Sequence, residues 1–406
     1  MKTIVKMAWR NIWRNKRRTI LTMFSIFLAM LLSLFTRSMQ KGSYANMISN
    51  VVKTSTGYIQ IHKKGYWKNK SINKTFEFNQ SMIEKILTDK NITAALPRLE
   101  SFALASSGSR TKGTLVIGTN AELEDSLNHF SKKIISGSYL NGNDHSIVVA
   151  EKLAEYLQLE VGDTLVMMGQ GYHGITAAEQ YPIKGILHFP IPQLNNKLII
   201  MPLKEAQYFY GANNRLTSIS LMLKNPDKLE KEISGLEKSL GKNYEIMSWQ
   251  EMNPEMVQTI ESDNVGGIIM LAILYLVIGF GVFGTVLMMT MERRKEFAVM
   301  IAIGMQKTKL LLMVLTETLL IGIIAVLSGL VVSYPLLVYM FYHPIKLTGA
   351  LAASMISFGA EPIMPFSLQT SIFTSQTISV IIITIVAVIY PLSVLLKFKV
   401  LKAMRS

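Results

Sequence analysis

Four stretches of the chain carry almost no charge over the length of a membrane crossing: Ile20–Thr36, Ile268–Met291, Leu310–Tyr342 and Ile378–Leu396. A crossing helix needs roughly 17–25 mostly apolar residues. The first stretch alone holds ten Leu, Ile and Phe residues, together roughly −3 to −6 kcal/mol of insertion free energy. All four are expected to span, with helices at 19–40, 266–291, 310–342 and 374–397.

The long segment between the first two spans follows a different rhythm. Gly57–His62 alternates Ile59 and Ile61 with Gln60 and His62, the period of a half-buried strand. Ser146–Ala150 is a short β-branched run, and Glu151–Leu157 places Leu153, Ala154 and Leu157 on one helical face. Gly162-Asp163 turns the chain into a strand at Thr164–Met168, and further strands are expected at Tyr181–Leu187, Leu198–Met201 and Ile219–Leu223. Asn225-Pro226 opens a helix striped by Leu229, Ile233, Leu236 and Leu240. Ser248-Trp249-Gln250-Glu251 fits a capping box, so a helix is expected to begin there and lead toward span two. Residues 41–265 therefore read as one compact α+β domain, with no internal repeat and no low-complexity linker. The fold class is a membrane protein of four transmembrane helices with a large α+β periplasmic domain between spans one and two.

Ahead of the first span, residues 1–18 have helical periodicity. Lys6, Arg10, Arg14, Arg17 and Arg18 fall within an arc of about 120°. Val5, Ala8, Trp9, Ile12 and Trp13 fall on another side, and indole rings suit the headgroup layer. An amphipathic helix on the inner membrane surface is expected, followed by a retained anchor rather than a cleaved signal.

Charge then sets the orientation. Met1–Arg18, the segment 292–309 and the tail from Lys397 hold sixteen basic and two acidic residues, fourteen of the fifteen net positive charges. Residues 41–265 hold 24 basic and 23 acidic residues. Short positive loops remain cytoplasmic, so both termini, including the tail 398–406, and the loop 292–309 are expected inside an inner (cell) membrane. The domain 41–265 and the loop 343–373 are then outside. Such a split is topogenic and does not suggest a nucleic-acid partner. The chain has no cysteine, which excludes disulfides and thiolate metal sites.

Catalytic patterns are missing from the sequence. Gly241-Lys242 precedes Asn243, so no phosphate-binding P-loop forms there, and no GxSxG occurs. Histidines 62, 129, 145, 173, 188 and 343 lack metal-ligand spacing. Inside the membrane, Glu317 stands seven residues into span three; it is expected either to form an inter-helix contact that moves with transport or to be a snorkelling or locally paired acid. Gly279, Gly281 and Gly284 of span two suit close helix packing.

The segment from Met291 to Met305 (MERRKEFAVMIAIGM) resembles the cytoplasmic loop of the FtsX/MacB/LolC-LolE family of ABC transporter permeases, approximately ERxxEixxxxaiGa. Residues Ala8–Thr19 (AWRNIWRNKRRT) are similar to that family's leader. Tyr390-Pro391 with Leu401–Arg405 resembles its ending, and Val148–Ala154 with Gly162-Asp163 resembles the MacB-type periplasmic core. The resemblance implies a non-catalytic permease subunit that binds no cofactor, with ATP hydrolysed on a separate ABC ATPase subunit, and a second permease copy or paralogue beside it. It makes Glu292, Arg293, Glu296, Ala302 and Gly304 the ATPase-coupling residues. The outer domain's size, and an opening at Gly57–His62 that looks like the LolC/LolE pattern, point to extraction of lipoproteins from the membrane lipid for a periplasmic carrier. The alternatives are a MacB-like efflux permease for peptides or amphipathic drugs and an FtsX-like signalling protein controlling a wall hydrolase.

Overall fold

The structure, a computed structural model, describes residues 2–14, 16–189, 191–357 and 362–396. Lys397 and the expected tail 398–406, with the matching residues Leu401–Arg405, lie outside the described residues. The chain divides into two compact units. One comprises Met1–Ala45, Thr259–Lys346 and Ile363–Ser406, and the other Asn46–Gln258 and Leu347–Pro362.

As far as described, the four expected spans fall in four helices: Lys16–Val51, Pro254–Glu292, Lys307–Tyr342 and Thr370–Leu396. The first two continue well beyond a bilayer's thickness, since polar residues such as Lys41 and Glu261 do not interrupt helical hydrogen bonding. Span three is the hub: half of its apolar window is buried, against 11% of span two's. Small residues at intervals of three and four residues bring its neighbours close. A Cβ on Gly329 would stand 2.8 Å from the Cβ of Met30 in span one, and one on Gly322 would stand 3.1 Å from Thr384 in span four. Among the span-two glycines, Gly279 packs tightly against Ile383, whereas Gly281 and Gly284 face open space. Some polar groups of the bundle pair across its segments. Ser38 Oγ donates to the Ser367 carbonyl at 2.7 Å, and Tyr44 Oη donates to Asp263 at 2.5 Å.

The second unit is built on ten strands: β1 (Ile59–Lys63), β2 (Ile92–Ser107), β3 (Arg110–Thr119), β4 (Ile134–Gly137), β5 (Ile147–Ala150), β6 (Thr164–Gln170), β7 (Thr176–Leu187), β8 (Leu198–Pro202), β9 (Ser218–Leu223) and β10 (Tyr244–Ser248). Their order is β10-β1-β9-β2-β3-β8-β5-β7-β4, with β6 bridging β2 and β7. The pairing thus closes a ring through β2, β3, β8, β5, β7 and β6. Strand β5 shows why its sequence is uninterruptedly apolar. Ile147 and Val149 face a core with Leu153 and Tyr181, while Val148 and Ala150 face a second core with Phe130 and Phe189. A third core under β1 and β9 collects Ile83, Leu229, Leu236 and Trp249 from the flanking helices.

Two local expectations change. The capping box at Ser248 forms as read, but its helix stops at Met252; Pro254 disfavours the helical conformation at Asn253 and opens the span-two helix itself. The hairpin β2–β3 was not anticipated, because Pro97 and Gly113 interrupt its strand pattern.

Candidate coupling site

The charged residues singled out in 292–309 meet those of the leader. Arg293 is the joint between the span-two helix and a short loop helix, Arg294–Ala302. Its backbone N–H reaches Met289, and its carbonyl accepts from Phe297 N–H. The guanidinium Nη1 lies 3.0 and 2.8 Å from the two oxygens of Glu317, which projects from span three. Its Nε stands 3.4 Å from Glu296, and the group sits 5.1 Å from the centroid of the buried Phe297 ring. Arg293 and Glu317 are only 11% and 8% exposed. Asn11 of the leader donates a long 3.5 Å bond to Glu317. Beside the pair, Thr290 and Thr318 line a cavity of about 10 Å³, room for a single water. Of the two behaviours expected for Glu317, the structure has the inter-helix pair.

Two further ion pairs join the leader helix, Lys2–Arg14, and the start of the span-one helix to the loop: Arg14 with Glu296 and Arg18 with Glu292. Both segments space these charges four residues apart in the sequence. The leader itself packs through Ala8 and Ile12, both fully buried, and through Ile4 and Met7. The apolar side expected from sequence is therefore divided. Ala8 and Ile12 face protein, and Val5, Trp9 and Trp13 are left exposed. The roles of Arg14, Arg18 and Asn11 were missed in the sequence; the matched spacing of Arg14/Arg18 and Glu292/Glu296 was the signal available.

Gly304 ends the loop helix. Met305 N–H bonds Met300 O and Gly304 N–H bonds Ile301 O, each at 3.0 Å, the paired bonds of a Schellman turn. Gly304 has φ of +104°, which side-chain-bearing residues avoid, although a Cβ there would meet nothing within 4 Å. Met300 and Met305 both pack against the apolar cluster around Phe297 and Leu310. The turn leaves an apolar tip: Val299 and Ala302 are exposed, and Ile303 is 82% exposed.

The histidines are dispersed. His62 is buried against Tyr66, while His145 and His188 each pair with a glutamate near the surface.

Two family models cover this architecture. The FtsX-like permease C-terminal model matches residues 268–400, and the MacB-like periplasmic core domain model matches 19–237, more than half of the chain. The chain belongs to the FtsX/MacB family of ABC transporter permeases. The loop 292–309 falls within the FtsX-like match, and strands β1–β9 within the MacB-like one, which ends before β10. Among curated relatives, this FtsX/MacB permease is 21% identical over 262 residues to the lipoprotein-releasing system transmembrane protein LolC of Xylella fastidiosa. That match takes in 62% of each chain, so the permease spans under two thirds of that relative's length. It is 21% identical over 340 residues to an ABC transporter permease of Methanocaldococcus jannaschii, covering 81% of this chain and 82% of that one. The periplasmic region of MacB from Actinobacillus actinomycetemcomitans aligns with 53% of this chain and 97% of its own, at 15% identity and a TM-score of 0.37.

Proposed function

We propose that this permease works with a separate ABC ATPase subunit to draw lipoproteins out of the inner membrane and pass them to a periplasmic carrier. It would act beside a second copy of itself or a paralogue, with both termini and the loop 292–309 in the cytoplasm. The observation that carries the ATPase reading is the loop helix: clamped by Arg293–Glu317, Arg14–Glu296 and Arg18–Glu292, it presents an apolar tip at Val299, Ala302 and Ile303. Apolar surface held on a rigid element suits docking into a groove. Glu292, Arg293 and Glu296 hold the helix, Ala302 contributes to the docking surface, and Gly304 shapes the return. Movement of the ATPase would then act on span three through Glu317 and on span two through Arg293. ATP would be bound by the partner; this chain needs no cofactor for such a role.

The relative named LolC supports lipoprotein extraction as the task. A lipid anchor contributes about 0.8 kcal/mol per buried CH₂, so removing an acylated protein requires an energy source. The MacB-like core favours a second reading, efflux of peptides or amphipathic drugs. Affinity purification of the full chain from mild-detergent membranes should bring down a stoichiometric ATPase subunit; none after crosslinking would overturn the ATPase-docking reading. Photo-crosslinking from the periplasmic core should then capture acylated proteins. An adaptor with an outer-membrane channel, or a wall hydrolase, would replace the lipoprotein assignment with efflux or signalling.

A further inference from the structure

The leader helix and the chain just after it hold more cations than the protein around them neutralises. The acids of the coupling site are Glu292, Glu296 and Glu317, and each is paired, with Arg18, Arg14 and Arg293. Lys6, Arg10, Lys16 and Arg17 are exposed, and among the described residues no carboxylate forms an ion pair with them. At 100° per residue the leader divides into three arcs. Ile4, Met7, Ala8, Asn11 and Ile12 face protein. Val5, Trp9 and Trp13 form an exposed apolar arc, with the two indoles edge to face at 6.0 Å. Lys6 and Arg10 border that arc on its other side. The next exposed apolar residues along the chain are Ile20, Leu21 and Phe24 of span one, so the Trp arc continues in sequence into surface that lipid must cover.

We infer that the leader helix is a binding element for anionic phospholipid headgroups, with Trp9 and Trp13 at the acyl boundary and Lys6, Arg10 and Arg17 on the lipid phosphates. Indoles settle at the headgroup level, and cations beside them attract anionic lipid. Each Lys or Arg near an anionic surface strengthens attraction about five-fold. Arg14 and Arg18 stay with the loop glutamates, so the same short segment serves two partners with separate sets of cations.

The test uses the full chain alone, reconstituted in vesicles, so it is independent of any ATPase or transported substrate. Quenching of Trp9 and Trp13 is measured with brominated phosphatidylglycerol or brominated phosphatidylcholine at equal mole fraction. The Trp9→Phe/Trp13→Phe variant gives the background from Trp67 and Trp249. The expected result is several-fold stronger quenching by the anionic lipid. That preference should vanish in Lys6→Gln/Arg10→Gln/Arg17→Gln and persist in Arg10→Lys/Arg17→Lys. Equal quenching by both lipids in the unaltered chain, or a preference that survives the triple neutralisation, would overturn the inference. Should the triple variant fail to insert, the comparison of the two lipids in the unaltered chain still decides.

Discussion

Removing the Glu317 carboxylate leaves the nearly buried Arg293 with only the exposed Glu296, 3.4 Å from its Nε, as counter-charge, and breaking a buried pair costs up to about 3–5 kcal/mol. Replacing both groups by apolar residues of similar size removes that poorly compensated charge as well. Glu317→Ala should therefore destabilise the detergent-solubilised chain more than Arg293→Met/Glu317→Leu does, as read by thermal unfolding. The double variant should nevertheless lose ATPase stimulation, which separates stability from coupling. Gly304→Ala strains a left-handed backbone position and should cost about 1–2 kcal/mol locally, visible as faster hydrogen exchange in the loop helix with the spans unchanged. His62 answers to pH. Burial lowers its pKa to about 4, against 6.5 for a free imidazole, and its Nδ1 lies 3.0 Å from the Thr217 carbonyl. The folded ring stays neutral where the unfolded one takes up a proton, so stability is lost as pH falls from about 6.5 toward 4. From pH 7.5 to 5 the loss should be on the order of 2 kcal/mol. His62→Phe should flatten that dependence in denaturant melts of the full chain; an unchanged slope would remove His62 as its source.

Between elements, strength comes from combination. Arg14–Glu296 is exposed and Arg18–Glu292 partly so, and exposed pairs contribute about 0.2–1 kcal/mol each. Single reversals such as Arg14→Glu should be tolerated, whereas Arg14→Glu/Arg18→Glu should release the loop helix to proteolysis. Adding Glu292→Arg/Glu296→Arg should restore protection. Packing of span three on span one is less forgiving. Gly329→Leu would drive a side chain into Met30 and should abolish a folded bundle, detected by loss of a monodisperse peak in size-exclusion chromatography. The element pattern was readable where one face is uniform: the spans, the β5–helix unit at 147–157, and the capped starts at Asn225 and Ser248. It was unreadable where a residue's partner comes from far along the chain. Nothing near Ala8 or Ile12 announces that they face span three rather than lipid, and Glu317 has no local partner to suggest Arg293. At the loop 292–309, sequence singled out the charged residues, and only tertiary structure supplied their contacts with Asn11, Arg14 and Arg18.

In the whole molecule, four spans and one intervening α+β domain could be read directly from charge and apolar length, because membrane insertion depends on composition more than on packing. The number of strands and their order could not. Ring closure pairs Ser106 with Val166 and Leu115 with Leu198, contacts that depend on the entire intervening chain. That closure sets a timetable for biogenesis. During synthesis, β3 waits with one side bare until β8 emerges, and β5 waits for both β7 and β8. At about 5–20 residues per second, the interval between the end of β3 and Pro202 lasts several seconds. Through that interval the nascent domain presents unpaired, apolar strands on the far side of the membrane, the period in which a chaperone or a protease would meet it.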